Sequence, residues 1–109
     1  GKLTLGENIA DLGGLVIGYH ALITHLGKRK RETIDGFTPE QRFFIGAAIA
    51  ERGKHRDEFA KMQVRNDPHS PAKFRVNGPM SNMIEFYEAF GVTSGDKMYR
   101  KPKDRIVIW

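Results

Sequence analysis

The sequence contains no cysteine, which excludes disulfide bonds and thiolate metal sites. It also has no uninterrupted apolar run of about 18 residues, so we expect no membrane-spanning segment. No signal-peptide pattern is visible at the N-terminus. Hydrophobic residues make up 39% of the 109 residues, which is enough for one modest core. Because cysteine is absent, any metal site must use histidine, aspartate or glutamate.

Positive charge exceeds negative charge, with 18 Lys and Arg against 13 Asp and Glu and a net charge of +5. Such an excess raises the question of nucleic-acid binding. Lys and Arg are dispersed, however, apart from the run Lys28-Arg29-Lys30-Arg31 between two helical patterns, which is typical of a solvated loop. We therefore expect no nucleic-acid partner. The alternative is a small basic helical module that binds nucleic acid or protein.

The first periodic segment predicts a long amphipathic helix. Its apolar residues recur in steps of three and four, at Ile9, Leu12, Val16, Tyr19, Ile23 and Leu26. Thr4 and Glu7 have the spacing of a capping box at its start. Gly13, Gly14 and Gly18 lie inside the pattern, and each costs roughly 0.5–1 kcal/mol relative to Ala in a helix interior. The helix therefore needs a close neighbouring backbone there, or it breaks.

Two further helices follow. Thr38 can be the N-cap of the second, Gln41 completes a capping box with it, and Gly53 is a candidate stop. A shorter helix is expected around residues 56–64. We expect it to bury Phe59, with Met62 or Val64 as a further candidate.

The last third combines an irregular loop with a final helix. Residues 66–71 contain two prolines and cannot be helical throughout, and residues 74–77 read as extended chain. A helix is expected from near Pro79 to Gly91. The apolar tail, residues 106–109, is expected to be docked. The predicted fold class is all-α, with about four helices and one irregular loop.

Two carboxylates of the first helix are candidates for metal chemistry. Glu7 and Asp11 lie four residues apart and project from one helical face. The first can bind a metal directly, and the second can accept the ring N–H of a metal-bound histidine. Alternatively, Glu7 closes the capping box with Thr4 and Asp11 is a solvated charge. The residues alone leave both readings open.

The proline-rich loop offers a second set of candidates. His69 lies between two prolines, with Asp67 two residues earlier, and can donate to a developing oxyanion. An exposed loop histidine with Asp67 in an Asx-turn is the alternative. Arg75 can make a forked contact to a peptide carbonyl or carboxylate, or it is a surface arginine. The other histidines read as structural or solvated: His20, His25 and His55.

Several segments resemble the neprilysin and endothelin-converting-enzyme family of zinc peptidases. The two most specific are Gly6–Asp11 (GENIAD) and Asp67–Pro71 followed by Phe74-Arg75-Val76, which is similar to the family's HSP…FR segment. Further similarities cover almost the whole chain in order: Gly13-Gly14-Leu15, QRFFIG from Gln41, the helix Asn82–Phe90, and the terminal Trp109.

The resemblance implies a role for each candidate residue. Glu7 is then the third zinc ligand, and Asp11 supports a zinc-bound histidine. His69 stabilises the tetrahedral intermediate, and Asp67 orients His69. Arg75 holds the substrate backbone. Zinc is the implied cofactor and small peptides are the implied substrates.

The resemblance also implies that residues 1–109 are the C-terminal part of a thermolysin-like (zincin) catalytic domain. The HExxH helix then lies upstream, and this fragment alone is expected to be inactive and to pack against that missing part. The family favours an extracytoplasmic protein, and the absence of the animal members' C-terminal cysteine suggests a bacterial one. A family member that has lost activity remains an alternative.

One pair of positions departs from the family pattern. Ala50 and Glu51 stand where the family often has a Val-Trp pair, part of the pocket for the residue after the scissile bond. This departure puts a preference for large hydrophobic side chains in doubt. A carboxylate there suggests a preference for a basic residue.

Overall fold

The computed structural model describes residues 2–108, and within them the structure is helical, with no strand beyond an isolated bridge between Ile34 and Phe37. The predicted all-α class is confirmed, with five α-helices in place of about four. The elements are α1 (Leu5–Leu26), α2 (Pro39–Ala50), α3 (Asp57–Asn66), α4 (Ala72–Met80), α5 (Ile84–Phe90) and a 3₁₀ turn (Pro102–Asp104).

Helix α1 is continuous over 22 residues despite its glycines. A Cβ at Gly18 would lie 3.3 Å from the Phe43 ring, so the close neighbour is a side chain of α2 rather than a backbone. Gly14 faces open space. The predicted capping box is wrong: the Thr4 side chain makes no capping hydrogen bond, and the Glu7 carboxylate is turned instead toward a histidine described below.

Helix α1 is long and apolar enough on average to cross a membrane. The search of the sequence for an uninterrupted apolar run did not detect it, because polar residues interrupt the helix. The core helix of a soluble protein passes the same test, so this feature assigns no membrane segment. In the structure α1 packs against α4 and α2. It contributes Leu12 and Tyr19 to the core cluster, whose other buried members are Phe44, Met80 and Met83.

Helix α2 begins as its sequence predicts. Thr38 Oγ1 accepts a hydrogen bond from the Gln41 backbone (3.2 Å), and Gln41 Oε1 accepts one from the Thr38 backbone (3.0 Å). Gln41 Nε2 also donates to the Ala89 carbonyl, which ties α2 to α5. The predicted stop at Gly53 is wrong. The helix ends at Ala50 with Glu51 as its C-cap, because the Arg52 backbone N–H donates to the Ile49 carbonyl and closes the last turn there.

Helix α3 forms close to its predicted position but buries none of its residues. Phe59 is 43% exposed and packs against the His55 ring at 4.8 Å, so the expectation that it is buried is wrong. The reason is that the helices in extensive contact are α1, α2, α4 and α5. Helix α3 therefore stands apart from the core.

The largest correction concerns residues 74–77, which lie in α4 and are not extended. Pro71 is the N-cap, and its carbonyl accepts from the backbone N–H groups of Phe74 (2.7 Å) and Arg75 (3.3 Å). Packing against α1 buries Met80 and overrides the weak helix propensity of this segment.

The predicted final helix is consequently split. Pro79 lies in the last turn of α4, but the hydrogen-bond ladder continues past it, because the Ser81 backbone N–H donates to the Asn77 carbonyl at 3.1 Å. The break comes at Met83, whose backbone is extended (φ -94°, ψ 121°). After a short turn, α5 begins at Ile84 and ends at Phe90. Gly91 is its C-cap and adopts φ 65°, as predicted for a C-terminal glycine.

The tail is only partly docked. Ile108 packs against the core, whereas Ile106 and Val107 are 60% and 80% exposed. The Ile106 backbone N–H donates to Asn82 Oδ1 at 2.8 Å, which holds the main chain while these two side chains point outward. Trp109 lies outside the described residues.

The basic run and the three other histidines behave as predicted. Lys28–Arg31 forms an exposed loop in which Arg31 pairs with Glu40. His20 lies 3.7 Å from Glu85, and His25 contacts Arg29. None of these contacts involves a residue of the core cluster.

A buried tyrosine joins α5 to the C-terminal segment. The Tyr87 hydroxyl donates to the Ser81 carbonyl (2.5 Å) and accepts from the Arg100 backbone N–H (2.7 Å). We expect Tyr87→Phe to lower the free energy of unfolding by about 1–3 kcal/mol, because the buried Ser81 carbonyl and the Arg100 backbone N–H lose their hydroxyl partner. Chemical denaturation measures this. Tyr99→Phe is the control, since within residues 2–108 the Tyr99 hydroxyl makes no hydrogen bond, and an equal loss in both variants would contradict the assignment.

Candidate active site

The structure brings the five candidate residues together from three elements. Helix α1 supplies Glu7 and Asp11 on one face, the loop between α3 and α4 supplies Asp67 and His69, and α4 supplies Arg75. The contacts between α1 and the later segments span more than 60 residues of sequence. The packing of α4 against α1 therefore assembles this site.

The His69 ring lies between two carboxylates. Its Nδ1 is 2.8 Å from Asp67 Oδ1, and its Nε2 is 3.1 Å from Glu7 Oε2. The His69 backbone N–H also donates to Asp67 Oδ1 at 2.8 Å, so Asp67 makes the Asx-type turn and contacts the ring at once. Hydrogen bonds from the His69 backbone, and then from its side chain, lower the pKa of Asp67. Asp67 therefore stays ionised beside the ring.

A second contact fixes the same loop on α1. Ser70 is buried, and its hydroxyl donates to Asn8 Oδ1 at 2.8 Å. Asn8 follows Glu7 in the sequence, and Ser70 follows His69. The hydrogen bond therefore keeps His69 next to Glu7. Reasoning from the sequence missed this pair. The only signal for it was that both residues lie inside the two most specific family segments.

Arg75 is held by carboxylates from two helices. Its Nε and Nη2 donate to the two oxygens of Asp11 at 2.9 and 2.7 Å, a bidentate pair. Its Nη1 lies 3.3 Å from Glu51 Oε2 at the end of α2. The hydrogen bonds to Asp11 raise the pKa of Arg75 further above its usual range. Asp11 and Arg75 are mostly buried, at 17% and 24% exposure, so neither is a freely solvated charge.

Among the described residues, Glu7 is the carboxylate predicted to bind a metal. Glu7 presents a carboxylate that is 41% exposed, at the first turn of α1. Within residues 2–108, no group of three or more His, Asp or Glu side chains is arranged to hold a metal ion. A metal bound at Glu7 would therefore need ligands from another segment.

The sequence is similar to known peptidases along nearly its whole length. The model of peptidase family M13 matches residues 1–106. An endothelin-converting enzyme homolog of Locusta migratoria is 43% identical, over 100% of this chain and 15% of that protein. The neutral endopeptidase of Lactococcus lactis subsp. lactis is 41% identical, over 100% of this chain and 16% of its own length.

A solved structure is equally similar. The zinc metalloprotease Zmp1 of Mycobacterium tuberculosis, in its open state, has a TM-score of 0.95 and 44% identity over 99% of this chain and 17% of its own. The chain thus spans about a sixth of the length of the proteins it matches. Since the family model and these relatives match along nearly the entire sequence, the chain belongs to peptidase family M13.

Proposed function

We propose that residues 1–109 are the C-terminal part of the catalytic domain of a zinc metalloendopeptidase that hydrolyses small peptides. The observation that carries this proposal is the contact of His69 Nε2 with Glu7 Oε2 at 3.1 Å, beside the bidentate Arg75–Asp11 pair. This cluster combines a carboxylate ligand, an oriented imidazole and a fixed guanidinium. Those groups can supply a metal ligand, an oxyanion donor and a contact to the substrate backbone in metal-assisted peptide hydrolysis.

Glu7 suits zinc as a single ligand. Zinc accepts carboxylate oxygens, and catalytic zinc sites of the His₂Glu type keep the fourth position for water. We propose that the two histidines come from an HExxH helix upstream, together with the general-base glutamate. When bound, zinc acidifies that water and polarises the peptide carbonyl. The exposure of the Glu7 carboxylate supports this role, because a ligand must be reachable.

His69 acts on the carbonyl oxygen of the substrate. Asp67 engages Nδ1, which leaves Nε2 as the nitrogen that faces the proposed metal side of the site. An Nε2–H donor aimed at the developing oxyanion stabilises the tetrahedral intermediate. Asp67 keeps the ring oriented by accepting from Nδ1–H. Because only the doubly protonated imidazolium donates from both ring nitrogens, the proposal assigns His69 that form when Nε2 donates to the oxyanion.

Arg75 holds the substrate backbone. Asp11 and Glu51 occupy three of its five N–H groups, so two remain for a peptide carbonyl.

Asp11 has a further role in this proposal. Its oxygens keep a second lone pair each, and one of these accepts the ring N–H of a zinc-bound histidine.

The rest of the catalytic domain is the proposed partner of this chain. Leu5, Ile9 and Phe74 are 45–61% exposed near the site, which supports burial against a further segment.

The proposed compartment is extracytoplasmic. One relative, from Homo sapiens, is named membrane metallo-endopeptidase-like 1 and is 39% identical.

Residues 1–109 alone should neither bind zinc tightly nor cleave peptides, because they supply one ligand of three. Zinc content after dialysis and hydrolysis of a fluorogenic peptide measure this. Measurable zinc-dependent hydrolysis by this isolated chain would contradict the proposed division of the site.

The reading frame upstream of Gly1 tests the proposal at the level of sequence. We expect an HExxH motif some tens of residues before Glu7. A motif that lacks either histidine or the glutamate would favour the inactive family member, in which the fold serves binding alone.

A further inference from the structure

A pocket of about 280 Å³ opens between α1, α2 and α4, next to Arg75. Its walls are formed by small residues and by apolar side chains, among them Ala10, Gly14, Ala47, Ala50, Val76 and Met80. The three charged groups at this pocket are Asp11, Arg75 and Glu51. The pocket is therefore apolar along its walls and charged at one end.

The charged end carries an excess of one negative charge. Two carboxylates, Asp11 and Glu51, face the single guanidinium of Arg75. Both oxygens of Asp11 accept from Arg75, whereas Glu51 contacts it through Oε2 alone. Within residues 2–108, Oε1 of Glu51 has no hydrogen-bond or ion-pair partner. This oxygen is free to receive a cation.

We propose that this pocket is a subsite for a peptide side chain that ends in a cation, Lys or Arg, and that Glu51 determines this specificity. The inference rests on the proposed peptidase function. The methylene stem of Lys or Arg packs against the apolar walls while its charged end reaches Glu51 Oε1.

Other side chains fit this pocket less well. An apolar side chain fills it but partly desolvates the Glu51 carboxylate without compensating that charge. A side chain that ends in a carboxylate meets the like charge of Glu51 directly. The discrimination therefore comes from one residue, at the end of α2, that also contacts Arg75.

The test uses the full-length, zinc-loaded protein and peptide sets that differ at one position near the scissile bond. At each position, Lys, Leu and Glu are compared through kcat/KM. We expect one position at which Lys is preferred. Glu51→Gln should lower the Lys-to-Leu ratio at that position roughly tenfold, the scale of one partly desolvated charge pair.

Glu51→Gln is informative because the amide oxygen can still accept from Arg75 Nη1. Glu51→Leu, which removes that acceptor too, should shift the preference to Leu. Glu88→Gln is the matched control: Glu88 lies on α5, does not line the pocket, and should leave the ratio unchanged.

Two results would overturn the inference while the proposed function stands. One is that Glu51→Gln leaves both the Lys-to-Leu ratio and the individual kcat/KM values unchanged. The other is an equal slowing of all peptides, which would make Glu51 only a positioning residue for Arg75. Failure of the wild-type protein to cleave any peptide would overturn the proposed function as well, and is seen before any variant is made.

Discussion

Replacing Glu7 with Ala in the full-length protein should remove zinc from the site and lower kcat/KM for peptide hydrolysis by roughly a thousandfold or more. The effect is large because a single metal supplies both the activated water and the polarisation of the carbonyl. Loss of a direct ligand should exceed the ten- to hundredfold losses of affinity that are typical when only an outer-shell partner is removed.

Zinc content per chain and kcat/KM are the two measurements for this variant. Glu85→Gln is a suitable control, because Glu85 is also a helical carboxylate beside a histidine, at 3.7 Å from His20, but lies outside the cluster. The control should keep its zinc and its rate. A Glu7→Ala protein with one zinc per chain and an unchanged rate would show that Glu7 is not a ligand.

Replacing His69 with Ala should lower kcat by about 10²–10³-fold, the usual effect of removing one oxyanion donor. KM and zinc content should change little, because the interaction strengthens only as charge develops on the carbonyl oxygen. Asp67→Asn should reduce kcat in the same direction but less, since the ring remains while the charged acceptor at Nδ1 is lost.

His55→Ala is the matched control for the histidine variant. His55 also lies in a loop, and its ring contacts Phe59 of α3 rather than the cluster. A rise in KM at constant kcat in His69→Ala would assign His69 to ground-state binding. Loss of zinc from His69→Ala would instead make it a metal ligand.

The helices that could be predicted from the sequence are those with local signals. Helix α1 follows a 3.6-residue apolar period, and α2 begins at a capping box whose two hydrogen bonds both form. Helix α4 has no such signal: prolines precede it and lie within it, and its residues favour neither helix nor strand strongly. Its packing against α1, a non-local contact, decides its conformation.

The candidate site likewise has features that local sequence signals predicted and others that depend on tertiary packing. Spacing alone put Glu7 and Asp11 on one helical face, but nothing local indicated that His69 contacts the first and Arg75 the second. The resemblance to the family named these residues and the pairing of Asp67 with His69, but neither of these two contacts with α1. The Ser70–Asn8 hydrogen bond and the contact of Glu51 with Arg75 likewise depend on tertiary packing, so only the structure could reveal them.

The central claim is that this chain contributes Glu7 to a zinc site that hydrolyses peptides. The most direct test measures peptide hydrolysis by the full-length protein as purified, after removal of metal with a chelator, and after zinc is added back. We predict one zinc per chain, loss of hydrolysis with the metal and recovery with zinc. Hydrolysis that persists without metal, or a protein that holds no zinc and cleaves nothing, would contradict the claim.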